Sequence, residues 1–152
     1  MKNIILILLL LSSLGICQQQ STYEIELVES TPIETTLDNP DIRDAYDVWL
    51  EMIKGAEKNL DIEQFYISPE KGEPLDAVLY ATEDAAARGV RVRIIVDSRM
   101  YKTYPAVIDN YKNKLKYDGT PLEGTIETHV IDFGKLGGGI QHAKFFIVDD
   151  EE

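Results

Sequence analysis

The chain is expected to fold as an α/β domain, a layered α-β-α sandwich around a mixed, mostly parallel sheet. Short runs rich in β-branched and aromatic residues alternate with longer stretches whose apolar residues recur at helical spacing. That strand–helix–strand order is the pattern of parallel sheets with helical crossovers. Proline and glycine fall between these runs, where turns are needed. With 152 residues and 44% apolar side chains, the chain is long enough to bury one substantial core.

Residues 1–17 have the layout of a secretory signal peptide. Lys2 gives a positive start, Ile4 to Leu11 an apolar centre, and small residues precede the polar Gln18-Gln19-Gln20. The apolar run is shorter than the roughly 20 residues that cross a bilayer. Export (secreted, periplasmic or lumenal) is therefore expected, with a membrane anchor as the alternative. Cys17 is the sole cysteine, which excludes an intrachain disulfide. Leu14-Gly15-Ile16-Cys17 is a loose match to a lipoprotein box, so lipidation at Cys17 is a second alternative.

Residues 18–40 form an N-terminal strand and connecting loop, and residues 41–152 the body of the domain. Tyr23 to Glu29 alternates polar and apolar, and Thr31-Pro32 and Asp38-Asn39-Pro40 punctuate the loop. From Asp41, the positions Ile42, Ala45, Val48, Trp49, Met52, Ile53 and Ala56 make one helical stripe, with Trp49 in the core. Asp38, Asp41, Asp44 and Asp47 lack the glycine turn and terminal glutamate of a calcium loop, and mark a solvated helix start. Asn59 to Ser68 is a strand. Pro74 opens a second helix that Arg88-Gly89 closes, following the helix-end preferences of proline and glycine. In the strand from Val90 to Asp97, Ile94-Ile95-Val96 predicts burial on both faces. A third helix spans Pro105 to Tyr117. Lys112, Lys114 and Lys116, with Lys102 before it, make a soluble face or a phosphate-tracking one. Thr125 to Phe133 is a further strand.

Chemistry concentrates at Gly139-Ile140-Gln141-His142-Ala143-Lys144-Phe145-Phe146-Ile147-Val148-Asp149. Residues i and i+2 of a strand share a face, so His142 and Lys144 are expected to point together at the opening of a buried strand. An imidazole serves as nucleophile or proton donor near neutral pH, and an ammonium neutralises a phosphate oxygen. The preceding Gly134-Lys135-Leu136-Gly137-Gly138-Gly139 is not a P-loop, since its lysine precedes the glycines. Glu63, on an expected central strand, either orients an imidazole or stands as a solvated charge at a strand edge. His129 has no x-Lys after it and is assigned a structural role. A formal charge of −12 disfavours non-specific binding to duplex nucleic acid, which needs a basic footprint.

His142-x-Lys144-x4-Asp149, with Phe-Phe-Ile-Val between, resembles the HxKxxxxD motif of the phospholipase D superfamily. The run Tyr23 to Pro32, the Trp49-Leu50 helix and Asn59 to Ile67 are similar to the first half of such a domain. The run Leu27 to Pro32 is particularly similar to the lumenal, membrane-anchored phospholipase D-like 5′ exonucleases. The family motif continues into a Gly-Ser-x-Asn-like segment and this chain stops at Glu152, so an N-terminal half or fragment is expected. The resemblance implies a phosphodiesterase whose two motifs face each other, one histidine forming a phosphohistidine while the other protonates the leaving alcohol. His142 would take one of those roles, Lys144 would hold phosphate, and Asp149 would support the site. No metal or other cofactor is implied. The substrate would be a phospholipid or a single-stranded nucleic acid, and a missing C-terminal half or a second subunit would complete the site. Two other classes compete with this reading: a non-catalytic binding half-domain and a lysine-faced module for lipid surfaces.

Overall fold

The computed structural model describes residues 25–32 and 34–149. The expected signal peptide, Cys17, and Tyr23 and Glu24 of the first expected strand lie outside the described residues. None of the described helices is long and apolar enough to cross a membrane.

Of the N-terminal alternating stretch, only β1 (Val28–Glu29) is laddered, in parallel with β2 (Arg43–Asp44). Arg43 pairs with Glu26 and Glu51, which holds the chain extended where the first helix was expected to have begun. That helix, α1, runs Ala45–Gly55, with Asp47 in its first turn and Lys54 in its last, both favourable to its dipole. Its stripe buries Ala45 and Ile53, whereas Trp49 remains 39% exposed and packs edge-on against Phe146 instead of entering the core.

The main sheet consists of β3 (Asn59–Gln64), β4 (Arg91–Asp97), β5 (Ile126–Ile131) and β6 (Phe145–Val148), in the order β5-β4-β3-β6. The first three strands are parallel and β6 runs antiparallel to β3, so the sheet is mixed and mostly parallel. Between them lie α2 (Pro74–Ala87), α3 (Ser98–Tyr101), α4 (Ala106–Lys112) and α5 (Phe133–Leu136). Pro74 opens α2 and Gly89, at φ +96°, follows its end. The four-residue helices α3 and α5 are too short to leave a helical period in the sequence. Helix α4 stops earlier than expected: Lys114 takes a φ of +58° and Leu115 bridges to Pro121. Lys112, Lys114 and Lys116 consequently share no helix face.

Alternation decides which side of the sheet is buried. Leu60, Ile62, Val92, Ile94, Val96 and Ile126 meet Ile53, Val78, Leu79, Val107, Ile108 and Tyr111 from the helices in one core. The α/β class therefore holds. Among the described residues, however, the helical layer lies on one face only. The opposite face, with Asp61, Glu63, Arg93, Ile95, Phe145 and Ile147, forms a shallow depression of about 410 Å3 walled by strand residues alone. Ile95 is accordingly half-exposed, not buried as the run around it predicts. Exposed His129 stands on this open face, paired in register with Ile95.

Candidate active site

Strands β3 and β4 end side by side, and the chain leaves them at Phe65 and at Asp97. Clefts at the carboxyl ends of parallel strands are where α/β sheets bind ligands, because connecting loops diverge there. The segment carrying His142 returns to this edge just before β6. Neither His142 nor Lys144 belongs to the strand, which starts at Phe145. The reason is that Gln141, 3% exposed, is held by side chains and not by a ladder. Its backbone N–H donates to Asp97 Oδ2 at 3.0 Å. Its side-chain amide donates to Glu63 and, at 3.2 Å, to the Ala143 carbonyl.

His142 and Lys144 nonetheless converge. The Lys144 ammonium lies 3.4 Å from His142 Nδ1 and 3.5 Å from Nε2, and donates to the His142 carbonyl at 3.0 Å. Phe65, half-buried, closes one side. Its ring centroid is 4.5 Å from that of the imidazole, and the ammonium lies 5.3 Å over it. Both polar groups are open to solvent. A cation held against an imidazole, beside an apolar wall and facing outward, suits an incoming phosphate: the ring nitrogen meets phosphorus while the ammonium meets a non-bridging oxygen.

The remaining predicted residues stand apart from this pair. Glu63 bonds the Gln141 amide, so it acts on the imidazole segment at one remove. Asp149 lies at the far end of β6, five residues and about 16 Å of extended chain away from Lys144. There its carboxylate accepts backbone N–H groups from Glu57 at 2.9 and 3.1 Å, Lys58 at 2.7 Å and Asn59 at 3.0 Å. The N–H donors of Lys58 and Glu57 hold the Asp149 carboxyl below the usual aspartate range. Asp149 therefore clamps β6 to the α1–β3 turn, away from His142 and Lys144.

Asp97 and Gln141 were not singled out in the sequence. Asp97 is 1% exposed. Burial alone would raise its pKa, but N–H donors from Gln141, Arg99 and Met100 outweigh this and lower it. The aspartate before Ser98-Arg99 carried a local signal as a helix cap, a role it fills. Nothing local marked its bond to Gln141. Among the described residues, no group of three or more His, Cys, Asp or Glu side chains is placed to hold a metal ion.

The His142–Lys144 pair lies just before an antiparallel strand, at the carboxyl edge of the parallel strands of an α/β domain. The family model described as "Cardiolipin synthase, PLD-like domain" matches residues 49–152, and the chain belongs to this phospholipase D-like family. It is 28% identical over 149 residues to Phospholipase D Y of Dictyostelium discoideum, covering 91% of this chain and 31% of that one. It is 30% identical over 143 residues to the 5′-3′ exonuclease PLD3 of Rattus norvegicus, covering 83% of this chain and 26% of that one. The chain thus spans less than a third of the length of these relatives. NucT from Helicobacter pylori aligns structurally with a TM-score of 0.46 and 19% identity, over 68% of this chain and 58% of that chain.

Proposed function

We propose that this chain carries one His–Lys half of a phosphodiesterase site that works through a phosphohistidine. The observation that carries the reading is the Lys144 ammonium at 3.4 Å from the His142 ring. In the attacking role, an imidazole nitrogen forms an N–P bond as the P–O bond to the leaving alcohol breaks. A second imidazole gives that alkoxide its proton, then takes one from water, which breaks the N–P bond and releases phosphate monoester. Lys144 neutralises the non-bridging oxygens in both steps. The second imidazole would come from another segment of the protein or from a second copy of the chain. Asp149, Asp97, Gln141 and Glu63 act as positioning residues, with no contact to phosphorus. The apolar leader supports an exported location, tested by fractionating cells that express the tagged protein.

The test of mechanism is hydrolysis of bis-p-nitrophenyl phosphate in EDTA by the complete protein. Turnover that persists in chelator and falls at least about a hundredfold in His142→Ala is expected. Turnover that survives in His142→Ala overturns the assignment of this residue. A folded wild type with no turnover points instead to a phosphate-binding half-domain.

A further inference from the structure

Among the described residues, the Lys144 ammonium is the only hydrogen-bond partner of the His142 ring nitrogens, at 3.4 Å from Nδ1 and 3.5 Å from Nε2. An ammonium only donates, and this one is almost equidistant from the two nitrogens, so it selects neither. Glu63, a carboxylate expected as an orienter, is engaged by the Gln141 amide instead. Hydrogen bonds therefore leave the plane of this exposed imidazole unfixed, although a nucleophile or acid needs a set direction. What limits the ring is Phe65. Its centroid lies 4.5 Å from that of the imidazole, with the planes at 59°. The same phenyl ring faces the Lys144 ammonium, 5.3 Å from its centroid, within the range of a cation–π contact. One side chain thus touches both members of the pair.

Phe65 is itself braced. It directly follows β3, the strand whose Glu63 holds Gln141, so one strand end positions Gln141 through Glu63 and His142 through Phe65. Tyr66 meets Phe65 edge-on at 5.7 Å, and Tyr104, between α3 and α4, is stacked on Tyr66 at 5.0 Å. Rings in mutual contact, anchored on two parts of the fold, resist rotation better than one phenyl group alone. We propose that Phe65 is a positioning residue of this half-site: its ring sets the plane of the His142 imidazole and keeps the Lys144 ammonium beside it. The inference rests on the phosphodiesterase reading above. Phe65 takes no part in bond making, since a phenyl ring offers neither an acidic proton nor a lone pair.

The test uses the complete protein and two readouts. The first is steady-state hydrolysis of bis-p-nitrophenyl phosphate in EDTA. Phe65→Leu keeps an apolar wall and removes the π face; its kcat should fall about tenfold while KM stays within about twofold of wild type. Phe65→Tyr keeps the face and should stay within about threefold of the wild-type kcat. Phe65→Met, which fills space without a ring, replaces Phe65→Leu if that variant does not fold. The second readout is the proton NMR signals of the His142 ring, identified by their absence from His142→Ala. A phenyl ring at 4.5 Å displaces them by its ring current, so they should move in Phe65→Leu and hold in Phe65→Tyr. Unchanged kcat in Phe65→Leu overturns the inference, as does a rise in KM alone, which would make Phe65 a substrate contact. Equal losses of kcat in Phe65→Leu and Phe65→Tyr, or His142 signals indifferent to both, overturn it too. Any of these results with His142-dependent turnover intact leaves the phosphodiesterase standing. His142 signals that move with Phe65, in a wild type without turnover, keep the hold of Phe65 on the imidazole and remove the phosphodiesterase.

Discussion

At the scale of single residues, the His142–Lys144 segment is held in place by carboxylates that do not bond to the pair itself. Asp97 is buried and takes N–H bonds from Gln141 and Arg99 at 3.0 and 2.8 Å. Removing a buried acceptor leaves its donors without partners. Asp97→Ala should therefore cost about 1–3 kcal/mol in chemical denaturation. It should also slow turnover, because Gln141 would no longer hold the His142 segment. Asp149 gathers the Glu57, Lys58 and Asn59 N–H groups, and its pKa is depressed by them. A depressed carboxylate contributes stability above its unfolded pKa of about 3.9 and loses it as pH falls through the folded value. Asp149→Asn should be less stable than wild type at pH 7, with the difference in melting temperature closing as pH drops below about 4. A gap that stays constant down to strong acid would show that the clamp does not work through its charge.

Among the elements, the packing of α2 on the β5 approach allows no side chain at Gly124. A Cβ there would lie 2.1 Å from the Ala86 carbonyl oxygen, and the residue holds a φ of +82°. Backbone cannot retreat as a flexible side chain does, so clash and strain add. Gly124→Ala should lower stability by at least about 2 kcal/mol, read as the shift of a urea midpoint. Strand β6 owes its place to contacts at both ends: Trp49 against Phe146, and the Asp149 clamp. It presents no helix-facing polar residue, as expected of a short strand whose inner positions, Phe146 and Val148, pack on the core.

For the molecule as a whole, opposing titrations set the pH range of stability. Asp97, Asp118 and Asp149 are all depressed, so their contributions are lost together in acid. Glu83 behaves oppositely. It is 1% exposed, burial pushes its pKa up, and the N–H of Tyr117 at 2.6 Å only partly offsets this. A raised carboxylate contributes fully below its unfolded pKa, and the contribution is lost as pH rises through the folded value. Glu83→Gln retains an acceptor for Tyr117 and removes the buried charge. Its melting temperature relative to wild type should therefore improve on going from pH 4 to pH 8. No such gain would mean that Glu83 is better solvated than its burial implies. The open sheet face adds a second global feature: Phe145 and Ile147 are 42% and 40% exposed beside the Asp61–Arg93 pair, so this face is the part of the domain left uncovered among the described residues.

The amino-acid sequence by itself determined the α/β class, the order of the long elements, the ends of α2 and the His142–Lys144 pair. Each of those depends on neighbours a few positions away: apolar periodicity, a proline or glycine at a helix end, a two-residue offset. Tertiary structure alone decided that β6 lies antiparallel beside β3, that Asp149 clamps a turn, and that Phe65, Asp97 and Gln141 surround the imidazole segment. Those relations join residues 44, 78 and 90 positions apart, as in the bonds from Gln141 to Asp97, from Gln141 to Glu63, and from Asn59 to Asp149. A hydrogen bond closed over such a loop leaves no period or cap in the sequence, because what selects its partners is the packing of the whole sheet.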